Sequence, residues 1–315
     1  MSTPRVLPSS TAAALDDLEL AARLIVEGAR SGQHRSPFHG FTAEFSQHRP
    51  YRPGDDIKHL DWKLLARTDR LYSRQFRETT NLSVMLAIDT SASMNFPVKS
   101  PGGTDAAPVT KFKYAVVTAA ALAHVIIEQG DAVGLMSWSG DRFTYVPARG
   151  GKPHRQLLFA ALARLTPAGR CPLDRLIARG GELLRRRGVL VALSDFYDAN
   201  EDTLRELRRT ARRGHDLTLL QVVSREELAF PYSGSVEFED LESSERRVLD
   251  ADEAARGYRQ AVAGFIEQYR RDLHRDGHEH VLMPTDVPVQ NALRSYLLRR
   301  SADAAHVTGL AGGLG

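Results

Sequence analysis

The chain has 315 residues, 42 lysines and arginines against 39 acidic residues for a formal net charge of +3, with 42% hydrophobic and 26% charged residues. This balance fits a soluble globular protein; it excludes wholesale disorder, and excludes a strong polycation that would argue for nucleic acid on charge alone. The length suits one large α/β domain plus an added module, since single cores stop growing near about 250–300 residues. The one cysteine, Cys171, excludes an intrachain disulfide framework and a multi-cysteine zinc site.

In chain order, residues 1–14 are rich in Ser, Thr, Pro and Ala and are expected to form a flexible tail without a secretory signal. Leu18, Leu20, Ala21, Leu24 and Ile25 then recur at helical spacing, predicting a helix from Leu15 to about Arg30. Between residues 31 and 80, Gly32, Gly40, Pro50, Pro53 and Gly54 interrupt aromatic and charged residues, so a loop-rich module with short strands such as Leu71 to Phe76 is expected. Residues 15–81 therefore read as an N-terminal helix-plus-β module.

A second unit spans residues 82–300. Ser83 to Ile88 is a continuous apolar run ending in Asp89, the profile of a strand buried on both faces. Three prolines and two glycines between Phe96 and Thr110 predict an exposed loop, and Phe112 to Ile126 a helix stopped by Gly130. The Ala115–Ile127 stretch is well short of the ~20 apolar residues that span a bilayer, so no membrane span is expected. Further strands are predicted at 132–138, 142–146, 189–193, 217–223 and 280–283. Helices are predicted near 153–165, 173–187, 201–213, 252–275 and 287–299, with short β segments near 235–249. Alternation of this kind predicts an α/β fold with a doubly wound, mainly parallel sheet. The Gly- and Ala-rich residues 302–315 are expected to form a second flexible tail.

Ligands of open α/β sheets gather at the carboxyl ends of strands. Two predicted strands end in polar residues there: Asp89-Thr90-Ser91-Ala92-Ser93 and Ser194-Asp195-Phe196. A carboxylate and two hydroxyls turned toward one point are hard oxygen donors of the kind that suits Mg²⁺. The bland alternative is that Asp89 and Ser93 cap the following loop and Asp195 caps the helix near residue 200.

The Asp-x-Ser-x-Ser run resembles the metal-ion-dependent adhesion site of von Willebrand factor A domains. The resemblance implies Asp89, Ser91, Ser93 and Asp195 as metal-site residues and a threonine in the intervening loop, where this chain carries Cys171 in Gly169-Arg170-Cys171. A thiol is a soft donor and a poor Mg²⁺ ligand. Upstream, His34-Arg35-Ser36-Pro37-Phe38, Glu44-Phe45, Arg49-Pro50-Tyr51-Arg52-Pro53-Gly54-Asp55-Asp56, His59, Asp61-Trp62-Lys63, Ala66-Arg67-Thr68-Asp69 and Tyr72 resemble the signature of the DUF58 family. That resemblance implies a von Willebrand factor A-like fold, a cytoplasmic, non-enzymatic adaptor or assembly role, and association with a MoxR-type AAA+ ATPase. Within the module, Trp62 reads either as the anchor of a docking surface or, as favoured here, as packing with Phe76 on the main domain, while Asp56, Arg67 and Asp69 are left open between ion pairs and partner contacts.

Two other functions compete. Asp89 and Asp195 at neighbouring strand ends resemble a haloacid-dehalogenase arrangement, a metal-dependent phosphotransferase or hydrolase, but Ser91 stands where that chemistry needs a second carboxylate as acid and base. Gly150-Gly151-Lys152 departs from a phosphate-binding loop at Pro153, and His278-Glu279-His280 lacks the spacing of a zinc helix. Nucleic-acid binding would rest on Arg185, Arg186, Arg187, Arg208, Arg209, Arg212 and Arg213. No recognition motif accompanies them, and nucleic acid is not the expected partner.

Overall fold

A computed structural model describes residues 18–30, 43–51, 61–68, 70–78, 82–97, 109–184 and 187–298. The two predicted tails, His34 to Phe38, most of the 96–110 loop and the Arg52 to His59 turn lie outside the described residues.

The chain begins with helix α1 (Leu18–Arg30), followed by strand β1 (Ala43–Pro50), a short helix α2 (Trp62–Thr68) and strand β2 (Tyr72–Glu78). Strands β1 and β2 pair antiparallel as their own two-stranded sheet. Helix α2 was not expected in a loop-rich segment; Asp61 starts it by accepting the Leu64 N–H at 3.0 Å, the work of an N-cap. The next residue corrects an expectation: the Trp62 side chain is 61% exposed and does not pack the module on the main domain. Of the three charged residues left open between ion pairs and partner contacts, Asp56 and Asp69 lie outside the described residues and Arg67 is exposed.

The main sheet is built from β3 (Ser83–Asp89), β4 (Ala132–Ser139), β5 (Arg142–Arg149), β6 (Val189–Ser194), β7 (Asp216–Val223) and β10 (Glu279–Pro284), in the order β10-β7-β6-β3-β4-β5. All neighbours are parallel except β4 and β5, which form an antiparallel hairpin at one edge. Between these strands come α3 (Lys111–Glu128), α4 (Lys152–Ala163), α5 (Leu173–Leu183), α6 (Glu201–Arg212), a five-residue α7 (Arg225–Ala229), the hairpin β8 (Ser235–Glu239) and β9 (Arg246–Asp250), and the long α8 (Ala251–Arg275). A last helix covers 289–298.

The two-residue period of β3 divides the core. Val84, Leu86 and Ile88 face the layer of α1, α3, α4 and the last helix, whereas Met85 and Ala87 face α5, α6 and α8. This sandwiching is why β3 reads as an unbroken apolar run. Helix α3 is apolar on nearly every side for a similar reason: the sheet covers one face and α1 and α4 cover others, leaving nearly all of its residues from Lys111 to Ile127 buried. Gly180 allows α5 its close approach, because a Cβ there would meet Met136 Cε at 2.5 Å and Leu190 Cδ1 at 2.8 Å. No described helix is long and apolar enough to cross a membrane.

Helix α1 belongs to this packing and not to a separate N-terminal core. Leu18, Ala22, Ile25 and Val26 join the cluster that contains Val84 and Ile88. Ile25→Ala should therefore cost about 2–5 kcal/mol, the range for a buried aliphatic truncation. Denaturant unfolding should register the loss in the single transition of the main domain; an unchanged midpoint would place α1 outside the cooperative unit.

Candidate functional site

Strands β3 and β6 are parallel neighbours, and their carboxyl ends deliver Asp89 and Asp195 to one region. Both residues are 2% exposed. Asp89 Oδ1 accepts the Ser91 N–H at 2.8 Å, while its Oδ2 accepts the Ser194 hydroxyl at 2.5 Å. The Ser91 and Ser93 hydroxyls lie 2.9 Å apart on the turn that follows. Cys171 arrives from the loop before α5, where the Asp89 carboxylate acts on its thiol. The predicted first motif and the loop cysteine therefore come together.

Backbone bonds hold that loop in place. Ala92 N–H donates to Gly169 O at 2.8 Å, Ala168 N–H to Thr90 O at 2.9 Å, and Gly140 N–H to Arg170 O at 3.0 Å. Gly169 has φ +60, and a Cβ on it would approach Gly140 Cα at 3.2 Å, so glycine answers both a conformational and a steric demand. On the other strand the chain turns at Phe196, a fully buried non-glycine residue with φ 59. A backbone in that region costs on the order of 1–3 kcal/mol and persists where surrounding contacts dictate it.

Burial first, and then the neighbouring Asp195 carboxylate, push the Asp89 carboxyl up from 3.8 to about 6, against the hydrogen bonds from Ser194 and Ser91. Negative charge at Asp89 is thus crowded, and a proton or a cation would relieve it. Burial likewise pushes the Cys171 thiol up, and the Asp89 carboxylate adds to the effect.

Asp195 has a partner that the sequence reading did not identify. Lys111, 1% exposed, places its ammonium 2.7 Å from Asp195 Oδ2 and 2.6 Å from Glu227 Oε1. The ring of Tyr197 lies 5.2 Å from the same nitrogen and that of Phe96 5.9 Å. Burial alone would lower the lysine, but Asp195 and Glu227 outweigh it and hold the ammonium above its usual range. Asp195 does not cap α6 as the alternative reading had it. Asn200 does so in a reciprocal pair with Thr203, and the remaining Asp195 oxygen accepts the Tyr197 N–H at 3.1 Å. Sequence carried one hint of Lys111's role, a lysine in the first turn of a helix, where the dipole disfavours cations unless a carboxylate attends them.

A second unforeseen residue is Glu242, at the tip of the β8–β9 hairpin. Its carboxylate lies 3.2 Å from Arg170 Nε, and the Ser93 hydroxyl favours its charged form. Burial, then Asp198, push this carboxyl up to about 7. An open cavity of about 480 Å³ borders the site, lined in part by Gly140, Arg170, Cys171, Asp174 and Asp198.

Tested as a cation site, the donors divide. Asp89, Ser91 and Ser93 offer hard oxygens that converge, and the crowded Asp89 charge suits a divalent ion. Asp195 is committed to Lys111, and Cys171 offers sulfur. No group of three or more His, Cys, Asp or Glu residues with metal-binding geometry occurs among the described residues, so such a site would depend on the serine hydroxyls. Elsewhere, Arg208 is bonded to Asp276 at 2.6 Å and Arg209 to Glu206 at 3.5 Å, which ties two of the arginines considered for nucleic acid to acidic neighbours. His280 bonds Gln221 at 2.9 Å, and Gln221 in turn donates to Asp195 O at 2.9 Å, so that histidine serves the sheet.

Residues 47–268 match the family described as "Protein of unknown function DUF58". Uncharacterized proteins of Mycobacterium bovis and Mycobacterium tuberculosis are each 32% identical over 279 residues, covering 87% of this chain and 85% of theirs. Among solved structures, the conserved hypothetical protein BatB from Bacteroides thetaiotaomicron is similar at 15% identity and a TM-score of 0.45, over 70% of this chain and 99% of that one. The SpRpn10 VWA domain is similar at 14% identity and a TM-score of 0.41, over 68% and 94%.

Replacing Lys111 by methionine would leave two buried carboxylates without their counter-ion, a change that costs about 3–5 kcal/mol where a buried pair is broken. Urea unfolding should show that loss for Lys111→Met. The triple variant Lys111→Met, Asp195→Asn, Glu227→Gln should recover much of it, whereas a loss under about 1 kcal/mol in the single variant would mean that the carboxylates are satisfied without the lysine.

Proposed function

The chain belongs to the DUF58 family and has a von Willebrand factor A-like fold, and from that premise we propose that it is a non-enzymatic adaptor or assembly factor. Its binding site is the carboxyl-end cluster around Asp89. The observation that carries this reading is the crowded, buried Asp89 carboxylate beside two serine hydroxyls 2.9 Å apart, next to Cys171, which lines an open cavity.

Three neighbouring residues argue against a nucleophilic cysteine, a lysine base and aspartyl phosphotransfer. A nucleophilic cysteine needs a thiolate, and burial beside Asp89 works against one at Cys171. A lysine base must lose its proton, yet Lys111 is held charged by two carboxylates. For phosphotransfer, Asp89 would need a second carboxylate two residues on, where Ser91 stands. Binding is the reading that uses the crowded Asp89 charge without any of these three chemistries.

Asp89, Ser91 and Ser93 are the residues that would hold Mg²⁺. When bound, the ion would supply a positive charge that neutralises Asp89 and an open coordination position for an acidic group of a partner. Lys111 keeps Asp195 out of that set, so the site carries less negative charge than two free carboxylates would give. Family resemblance supports a MoxR-type AAA+ ATPase as the partner and the cytoplasm as the setting.

Calorimetric titration of Mg²⁺ into the purified protein tests the site. We expect weak binding by the wild type, none by Asp89→Ala, and about tenfold tighter binding by Cys171→Thr, the scale of effect seen when groups next to a metal are exchanged. Indistinguishable titrations for all three would overturn the cation reading, and phosphatase turnover abolished by Asp89→Asn would overturn the adaptor reading.

A further inference from the structure

The β8–β9 hairpin is the least embedded β element of the second unit. It shares no strand pairing with the main sheet, and β9 is exposed along its length, with Val248 at 65% and Leu249 at 44%. A two-stranded hairpin alone is marginally stable in water, so its anchors decide its position. Its base is fixed by packing of Phe230 against Phe238 and Tyr258, with ring centroids 5.7 and 4.6 Å apart, and by the Gly234 N–H bonded to Asp252 at 2.8 Å.

The tip is fixed differently. Asp240 Oδ1 accepts the N–H groups of Glu242 at 2.7 Å and Ser243 at 3.2 Å, and Ser244 turns the chain with φ 59. From this tight turn the Glu242 side chain goes inward, to 8% exposure, and its carboxylate is held by the Arg170 guanidinium at 3.2 Å, with the Ser93 hydroxyl favouring its charged form. Arg170 itself is 73% exposed. A hydroxyl and a guanidinium gathered around a carboxylate form a carboxylate subsite. Here the chain fills it with its own residue, next to Asp89, and the charges of Asp198 and Asp89 work against the occupant.

We propose that Glu242 is an internal stand-in for an acidic side chain of a partner, and that the β8–β9 hairpin is a strap which that side chain displaces from Ser93 and Arg170. The inference rests on the reading of the Asp89 cluster as a binding site. A self-filled subsite lowers the apparent affinity for the partner by the fraction of molecules in which the strap is open, so weakening the internal contact should raise affinity.

Arg246 and Arg247 on β9 report the position of the strap, because trypsin cleaves after each. In the full chain, Glu242→Ala and Arg170→Ala should each accelerate cleavage at these sites about tenfold, tracking the open population. N-acetylglutamate methylamide, a monocarboxylate probe, should bind Glu242→Ala at least about tenfold more tightly than wild type, followed by NMR shifts of the Arg170 side chain. The double variant Arg170→Ala, Glu242→Ala should show no saturable probe binding by calorimetry. Cleavage unchanged by both single substitutions, or equal probe binding by wild type and Glu242→Ala, would overturn the proposal. Carrying out each measurement with and without Mg²⁺ separates the two readings. A strap released by Glu242→Ala in a protein that binds no Mg²⁺ retains the strap and removes the cation; Mg²⁺ binding with an unresponsive strap does the reverse.

Discussion

The carboxyl end of the sheet is organised around the buried ammonium of Lys111. An unpaired lysine at 1% exposure would be costly to keep charged, and two unpaired carboxylates beside it equally so. Together they satisfy one another, and they join three places in the chain: the start of α3, the end of β6 through Asp195, and the first turn of α7 through Glu227. Glu227 is also half of a capping box with Ser224 at the end of β7, accepting its N–H at 2.7 Å and donating its own to the Ser224 hydroxyl at 3.1 Å. The lysine thus fixes the ends of β6 and β7 relative to each other. It also leaves Asp89 as the carboxylate free of a lysine partner, with neutral donors around it.

This division of labour decides what the site can do. Asp195 raises the energy of a charged Asp89 but is itself neutralised by Lys111, so the pair does not act as two equivalent anions. Asp89 keeps its need for positive charge, and Ser91 and Ser93 provide the oxygens beside it. Above them Glu242 adds a third carboxylate, balanced by Arg170 on the solvent side. The buried Lys111 and the exposed Arg170 thus stand at the two ends of a crowded set of carboxylates, and the exposed guanidinium is the group placed to meet an acidic side chain from outside.

The fold was legible because its strands carry strong local signals. Ser83 to Ile88 and Val189 to Leu193 are apolar on both faces since helices cover both, and each is followed at once by the polar residues of the site. Asp89, Ser91, Ser93 and Asp195 could be picked out from that position alone. Lys111 gave one hint, its place in a first helical turn, and Glu242 none, since the partners lie far along the chain: Lys111 is 84 residues from Asp195 and 116 from Glu227. Aromatic content misled in one place, where Trp62 was expected in a packing contact and stands exposed at the start of α2. Local pattern reports burial of a strand or helix face, whereas a single buried ion pair is decided by which strands become neighbours.

On the function proposed above, the Asp89 cluster is where this protein meets its partner. The most direct test is the dissociation constant of the complex between the purified protein and a MoxR-type AAA+ ATPase, measured for wild type and Asp89→Ala, with a thermal melt confirming that the variant is folded. Binding by the wild type and at least about tenfold weaker binding by the variant are expected, a difference of about 1.4 kcal/mol. Equal affinity for the two folded proteins would contradict it.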